Sequence, residues 1–194
     1  MAGAERVFRL LDREPDWKDR PNAVPLPPIR SGVVFDRVCF SYDLVKPVLE
    51  EISFEAKPGQ TVALVGHIGG GKSTVINLLS KFYLPDSGSI RIDDRDMLTI
   101  RSSSLHRQMG IVLQQNFLFK GTIMGNIRIG RLGAADAEVV QAVRSLDCLD
   151  VIEDLPDGIE TEVSEDGIGL SIGQQQLVCF ARAMLADPRI LILD

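Results

Sequence analysis

The most informative part of the sequence reads Gly66-His67-Ile68-Gly69-Gly70-Gly71-Lys72-Ser73-Thr74. This stretch matches G-x-x-x-x-G-K-[ST], the pattern of a phosphate-binding loop. Glycines let the backbone turn tightly enough for successive N–H groups to point at phosphate oxygens. The stretch therefore predicts a site for the phosphates of a nucleotide.

The residue types in this loop predict how it works. Lys72 would place a positive charge on the β- and γ-phosphates, and the Ser73 hydroxyl would ligate Mg²⁺. A helix predicted from Lys72 to about Phe82 would add the positive end of its dipole to the same anion. An apolar strand predicted at Thr61–Val65 supplies the expected flank on the other side. His67 is interpreted as a variable, outward-facing position.

Length and charge limit the class of protein. The chain has 194 residues, enough for one compact domain, and its net charge of -6 argues against nucleic acid as the main partner. No apolar run approaches the ~18 residues that a membrane-spanning helix needs.

The first thirty residues differ in character from the rest. Residues 5–13 carry apolar positions on one helical face, and five of the ten prolines fall between Pro15 and Pro28. Because proline stiffens extended chain, this part is predicted to be a linker. Trp17, within it, is expected to cover the domain surface.

From Gly32 onward the pattern is first β and then α/β. Strands are predicted at Val33–Phe40, Ile52–Ala56, 89–92, 111–113 and Ile190–Leu193, and helices at 134–145 and 174–186. Early antiparallel strands followed by alternating strands and helices indicate an α/β core with a β subdomain.

A second segment precedes the last predicted helix and consists of Leu170, Ser171, Ile172, Gly173 and Gln174. Ser171 is a good helix N-cap, and exposed N–H groups at the helix start would form a second anion site. Taken alone, the segment favours simple capping.

The last predicted strand, Arg189–Asp194, has the form of a Walker B strand, whose Asp194 would hold Mg²⁺ through water. Any core strand that ends in an acidic residue has the same form.

The sequence resembles the ATP-binding cassette (ABC) family over essentially the whole chain. The resemblance rests on the phosphate loop, the Leu-Ser-x-Gly-Gln segment and the Walker B strand, which occur in the family's order and approximate spacing. The resemblance implies a P-loop NTPase core, an N-terminal antiparallel β subdomain and a helical signature subdomain. Tyr42 looks like the aromatic residue that stacks on adenine, and Gln114 like the glutamine that senses Mg²⁺ and the attacking water.

Three further segments are similar to exporters rather than importers. They are 117–123, the loop Thr161–Gly167 that would touch the transmembrane coupling helices, and the opening helix with its proline linker. The chain is thereby divided into a linker at 1–30 and an ABC ATP-binding domain at 31–194. Because Asp194 is the last residue, the resemblance also implies that the C-terminal part of the domain is missing and that this piece alone does not turn over ATP.

The family resemblance implies a mechanism with two cassettes paired head to tail, as a homodimer or a heterodimer. The signature, residues 170–174, would then act in trans on ATP held by the partner's loop. Lys72, Gln114 and Asp194 would be catalytic, and Ser73, Gln114 and Asp194 would hold Mg²⁺. The cassette would serve a transmembrane domain of the same polypeptide, at the cytoplasmic face of the plasma (inner) membrane.

Two departures keep alternatives open. Ile172 stands where the family usually has glycine, and Ser164 replaces a usual glycine in the exporter loop. An asymmetric pair or a degenerate regulatory subunit is therefore one alternative, and a soluble cassette ATPase of DNA repair or translation is another. A GTPase or a small-molecule kinase does not explain residues 170–174.

Overall fold

The computed structural model describes residues 2–13, 17–43, 46–114, 117–164 and 169–194. The helices are α1 (Ala2–Leu11), α2 (Lys72–Leu79), α3 (Ser102–His106), α4 (Ile123–Arg128), α5 (Asp136–Arg144), α6 (Leu149–Glu153) and α7 (Ile172–Leu185). The strands are β1 (Val33–Phe40), β2 (Leu49–Ala56), β3 (Ser87–Ile92), β4 (Arg95–Asp96), β5 (Met109–Val112), β6 (Gly121–Thr122), β7 (Glu162–Val163) and β8 (Ile190–Leu193).

The N-terminal part forms an antiparallel sheet with the strand order β2-β1-β3-β4. Strand β1 alternates, so that Val33 and Phe35 are buried while Val34 and Asp36 are less so. Since successive side chains of a strand point to opposite faces, this alternation gives the sheet one apolar face. The predicted antiparallel β subdomain is confirmed.

Two hydrophobic cores organise the rest of the chain. The first lies between the sheet and α2, with Val75 and Leu78 packed among residues of β1 and β3. The second is helical and gathers apolar residues of α4, α5 and α7. The phosphate loop therefore lies on the first core, whereas the segment 170–174 lies at the edge of the second.

The predicted strand at Thr61–Val65 is wrong for this structure. These residues are exposed and form no strand, and Val65 is 90% exposed. A strand needs a hydrogen-bonded neighbour, and within the described residues β8 pairs only with β5, in parallel. Apolar composition at 61–65 indicated a buried strand, but no described segment supplies its ladder.

Helix α2 ends three residues earlier than predicted, at Leu79 rather than Phe82. Lys81 is left-handed, with φ 56°, and its N–H donates to Leu78 O at 2.9 Å. The N–H of Phe82 donates to Asn77 O, also at 2.9 Å. This is the Schellman stop, in which the left-handed position normally carries glycine.

The second half of the predicted linker is in contact with the domain. Ala23 and Leu26 are buried, and Val24 forms a bridge with Ile100. The carboxylate of Asp93 accepts hydrogen bonds from the backbone N–H groups of residues 30–32. The division into 1–30 and 31–194 stays a prediction, but residues 17–32 are packed chain rather than a free tether.

None of the helices in the described part of the chain is long and apolar enough to cross a membrane.

Candidate functional site

The phosphate loop takes the backbone shape that its glycines permit. Gly69 and Gly71 have φ of 79° and 81°, a region that side chains disfavour. A Cβ on Gly71 would lie 2.7 Å from Leu49 Cδ2 and 3.2 Å from Val48 O. Gly71 is thus required both for its conformation and for its close approach to β2.

Lys72 closes the loop upon itself. Its ammonium donates to Gly66 O at 2.8 Å and to His67 O at 2.9 Å. Gly70 N–H also donates to His67 O, at 3.0 Å. An ammonium has three N–H donors, so one is left for a ligand. The side chains of His67 and Ile68 are exposed, and the outward-facing position predicted for His67 is confirmed.

The start of α2 is built to accept an anion. Gly71 is the N-cap and offers no side chain to the first N–H groups of the helix. These groups have no partner within the helix, and the helix dipole adds positive potential at the same end. Ser73 is exposed in this first turn. The loop, the ammonium and the helix end together fit a phosphate group.

Tyr42 lies beside this loop, as the prediction of an adenine platform requires. Its hydroxyl is 3.1 Å from Thr74 Oγ1, and its side chain is 51% exposed. Half of the tyrosine surface can therefore contact a ligand, next to the last residue of the loop.

Gln114 and Asp194 lie at the same edge of a sheet. Strands β5 and β8 are parallel with Val112 opposite Leu193, so both residues follow the carboxyl ends of neighbouring strands. Asp194 N–H donates to Val112 O at 3.0 Å, which fixes this register. Both residues are exposed. Because Thr61–Val65 is not in this sheet, the sheet itself does not tie the phosphate loop to this edge.

The segment 170–174 forms a capping box at the start of α7. Ser171 Oγ accepts from Gln174 N–H at 3.2 Å, and Gln174 Oε1 accepts from Ser171 N–H at 2.9 Å. Leu170 is buried and anchors the turn, while Ile172 is 73% exposed and Gly173 faces open space. The capping interpretation is confirmed, and the surface around Gly173 remains accessible.

Two polar residues that the sequence did not single out connect these segments. Asn126 of α4 is buried, and its side chain exchanges two hydrogen bonds of 2.8 Å with the backbone of Phe119. Arg182 of α7 donates to Phe117 O at 3.1 Å and to Asn126 Oδ1 at 3.0 Å. Burial lowers the pKa of Arg182. These hydrogen bonds connect the segment that follows Gln114 to helix α7. In the sequence, the sign of this contact was a single arginine within an apolar helix.

The predicted exporter loop, Thr161–Gly167, begins beside strand β6 and the start of α4. Strand β7 pairs with β6, and Ile123 N–H donates to Thr161 O at 3.1 Å. Glu165, Asp166 and Gly167 of this loop, and Gln115 beside Gln114, lie outside the described residues.

Comparison with known proteins agrees with this geometry. The family model described as "ABC transporter" matches residues 49–194. The chain belongs to the ABC transporter family. A solved structure of a bacterial Atm1-family ABC exporter with ATP bound superposes with a TM-score of 0.92 at 42% identity, covering 100% of this chain and 34% of that one. The expected P-loop NTPase fold is therefore confirmed.

Two relatives show the same pattern of partial coverage. An uncharacterised ABC transporter ATP-binding protein of Bacillus subtilis, YknV, is 47% identical over 194 residues, which is 100% of this chain and 32% of the relative. The ATP-dependent lipid A-core flippase of Syntrophus aciditrophicus is 42% identical, with the same two shares. The chain thus spans about a third of the length of these ABC proteins.

Proposed function

We propose that this chain is the nucleotide-binding domain of an ABC exporter, which binds Mg²⁺-ATP and, in the whole protein, couples ATP hydrolysis to export of a substrate across a membrane. The observation that carries the proposal is the start of α2. There the left-handed Gly71 leaves the helix uncapped by any side chain, beside the Lys72 ammonium. The superposition with an ATP-bound exporter supports the same ligand.

The remaining roles follow from the loop and the sheet edge. Lys72 binds the β- and γ-phosphates, and residues 66–74 surround them with backbone N–H groups. Ser73, Gln114 and Asp194 are oxygen donors of the kind that Mg²⁺ prefers, and we assign them to the cation. When bound, Mg²⁺ neutralises charge on the phosphates. Lys72, Gln114 and Asp194 are the catalytic residues of this proposal.

The signature at 170–174 serves the partner's nucleotide. It lies on the helical core, whereas the phosphate loop lies on the β core, and its Gly173 is accessible from outside. Two copies, or this chain and a related cassette, would pair head to tail so that each loop meets the other's signature. The exposed Ile172 would lie within that interface.

The proposed context is a polypeptide that also carries a transmembrane domain. Residues 1–30 would form the linker from it and 31–194 the ATP-binding domain, on the cytoplasmic face of the plasma (inner) membrane. The relatives' greater length and the match to an exporter support this arrangement.

Nucleotide binding is tested by equilibrium titration of the chain with fluorescent ATP and Mg²⁺. Lys72→Ala should weaken binding about a hundredfold, because charge-assisted hydrogen bonds are lost and the loop loses its closure. Lys57→Ala, an exposed lysine after β2, is the matched control and should change affinity less than about twofold. Equal affinity in the Lys72 variant would refute the site.

Action in trans is tested by mixing variants. ATP should induce dimers of the wild-type chain, detected by light scattering, but not of Lys72→Ala or Ser171→Arg alone. A mixture of the two contains one intact composite site, formed by the loop of one chain and the signature of the other. Dimers in the mixture support the pairing, and none in the mixture, with wild-type dimers present, overturns it.

A further inference from the structure

The hydroxyl of Tyr42 is held at the end of its ring by two side chains of α2. It is 3.1 Å from Thr74 Oγ1, and Asn77 Nδ2 donates to it at 3.4 Å. Thr74 and Asn77 are three residues apart on the helix and so present neighbouring side chains on one face. Thr74 is itself buried, which leaves its hydroxyl little freedom.

The two hydrogen bonds are compatible with each other. The Asn77 amide nitrogen can only donate, so the Tyr42 oxygen accepts from it. That oxygen still has its own hydrogen to donate to Thr74. One phenolic hydroxyl therefore satisfies both partners, and both bonds fix the far end of the ring.

Aromatic neighbours hold the body of the ring. Tyr42 packs perpendicular to Phe40, with centroids 4.9 Å apart, and perpendicular to Tyr83, with centroids 5.1 Å apart. Perpendicular packing of this kind is favourable but permits sliding and tilting. Half of the side-chain surface stays exposed beside these contacts. The hydrogen bonds supply the directional restraint that the ring contacts lack.

The hydrogen bond between Tyr42 and Thr74, which we call the tether, connects the aromatic ring to the phosphate loop. Thr74 is the last residue of that loop and lies in the first turn of α2. A shift of the loop would be transmitted to Tyr42 through one hydroxyl pair. We propose that Thr74 and Asn77 are positioning residues that hold Tyr42 as the platform for the base, and thereby set how strongly the base adds to binding by the phosphates.

The inference rests on the proposed function, and the test separates the two. Wild-type chain is titrated with fluorescent ATP, which is then displaced by ATP or by inorganic tripolyphosphate. The ratio of the two displacement constants measures what the adenosine part of ATP, base and ribose together, adds to binding. A residue that only stabilises the fold would lower both affinities and leave this ratio unchanged.

Tyr42→Phe keeps the ring and removes the tether, and Thr74→Val removes the other hydroxyl at nearly constant volume. Thr74→Val should weaken ATP about fivefold relative to tripolyphosphate, the loss expected for one hydrogen bond. Tyr42→Phe also loses the bond from Asn77 and should weaken ATP at least as much. The double variant should be no worse than Tyr42→Phe, because that change already removes the bond to Thr74. Asn77→Ala should give a smaller change in the same direction.

Thr99→Val is the matched control, since the Thr99 hydroxyl donates to Asp96 O away from this cluster. It should leave the ratio unchanged, and thermal unfolding of every variant checks the fold. Unchanged ratios in Tyr42→Phe and Thr74→Val, or additive losses in the double variant, would overturn the tether while leaving the phosphate site intact. If the wild-type chain binds neither ATP nor tripolyphosphate, the proposed function fails and the inference fails with it.

Discussion

Helices α2 and α7 both begin at a predicted ligand site. Helix α7 is capped by side chains at its N-terminus, whereas the stabilising side-chain contacts of α2 lie just after its C-terminus. Helix α2 has Gly71 at its N-cap and no capping side chain, whereas α7 starts with the reciprocal hydrogen bonds of Ser171 and Gln174. The end of α2 that we propose to bind phosphate is thus left open. The end of α7 is complete in the single chain.

Side-chain contacts that hold α2 are found just after its C-terminus, at Lys81. Lys81 is 2% exposed, and its ammonium donates to Asp19 Oδ1 at 2.8 Å and also to Ile100 O. Trp17 lies over it, with the ammonium 5.3 Å from the ring centroid, and the Trp17 indole donates to Phe82 O. These contacts form what we call the Lys81 clasp, which secures α2 to residues 17–19.

The clasp explains a strained residue. Lys81 takes the left-handed conformation that glycine would adopt more easily at the end of a helix. A lysine there costs about 1 kcal/mol of backbone strain. Its ion pair with Asp19, in which the ammonium is buried, gives the position a role that glycine cannot fill.

The largest effect is expected when glycines at the starts of α2 and α7 are replaced by alanine and the affinity for ATP is measured. Gly71→Ala adds a side chain in a left-handed region and against Leu49, so we expect about a thousandfold loss of ATP affinity, about 4 kcal/mol. Gly69→Ala carries only the backbone strain and should lose about tenfold. Gly173→Ala meets open space within a helix and should leave binding by the single chain unchanged. Equal behaviour of the three variants in a titration would break the comparison.

The next effect concerns the clasp. Asp19→Asn leaves the buried Lys81 ammonium without its carboxylate, and the free energy of unfolding should fall by about 3 kcal/mol. Asp36→Asn is the control, because its pair with Arg37 is exposed and should contribute less than about 0.5 kcal/mol. Denaturant unfolding measures both, and equal losses would show that the clasp does not hold α2.

A smaller effect depends on pH. Burial raises the pKa of Asp19, but hydrogen bonds from Lys81 and Ser102 outweigh it and lower the pKa from 3.8 to about 2. A lowered pKa in the folded state means that the stabilisation is complete above pH 3.8 and is lost as the pH falls towards 2. The wild type should lose about 2 kcal/mol more than Asp19→Asn across this window.

Unfolding of both proteins at a series of pH values measures that difference. Ser171→Ala should follow the wild-type pH curve, because the cap of α7 contains no titrating group. Parallel curves for wild type and Asp19→Asn would contradict the assignment of the clasp to Asp19.

The smallest effect belongs to the cap itself. Ser171→Ala removes the acceptor for Gln174 N–H and should lower the free energy of unfolding by about 1 kcal/mol. Binding of ATP by the single chain should not change, because the proposed role of Ser171 is towards the partner's nucleotide. A weaker titration in this variant would place Ser171 in its own chain's site instead.

Local patterns predicted much of this protein. The alternation of β1 and the glycines of the phosphate loop were readable because they depend on residues a few positions apart. The sequence also indicated that Ser171 caps a helix and that Gln114 and Asp194 follow strand ends. The family resemblance supplied what periodicity cannot, namely the proposal that the phosphate loop, Gln114 and Asp194 serve one nucleotide.

The errors arose where pairing partners were needed. Thr61–Val65 has the composition of a buried strand, but a strand is defined by its neighbours, and none pairs with it among the described residues. The proline-rich segment has the composition of a free linker, yet its second half packs on the domain. The short helices α3, α4 and α6 were missed because five or six residues show too little periodicity.

The phosphate loop, the capped start of α7 and the fold class were therefore predictable, because each depends on the order of neighbouring residues. The folded chain was needed to show three pairings: Lys81 contacts Asp19, Thr74 and Asn77 contact Tyr42, and Arg182 contacts Phe117. Their partners are 32 to 65 positions apart in the chain, and no local pattern records such a pairing. Folding brings these residues together because the two apolar cores must close around them.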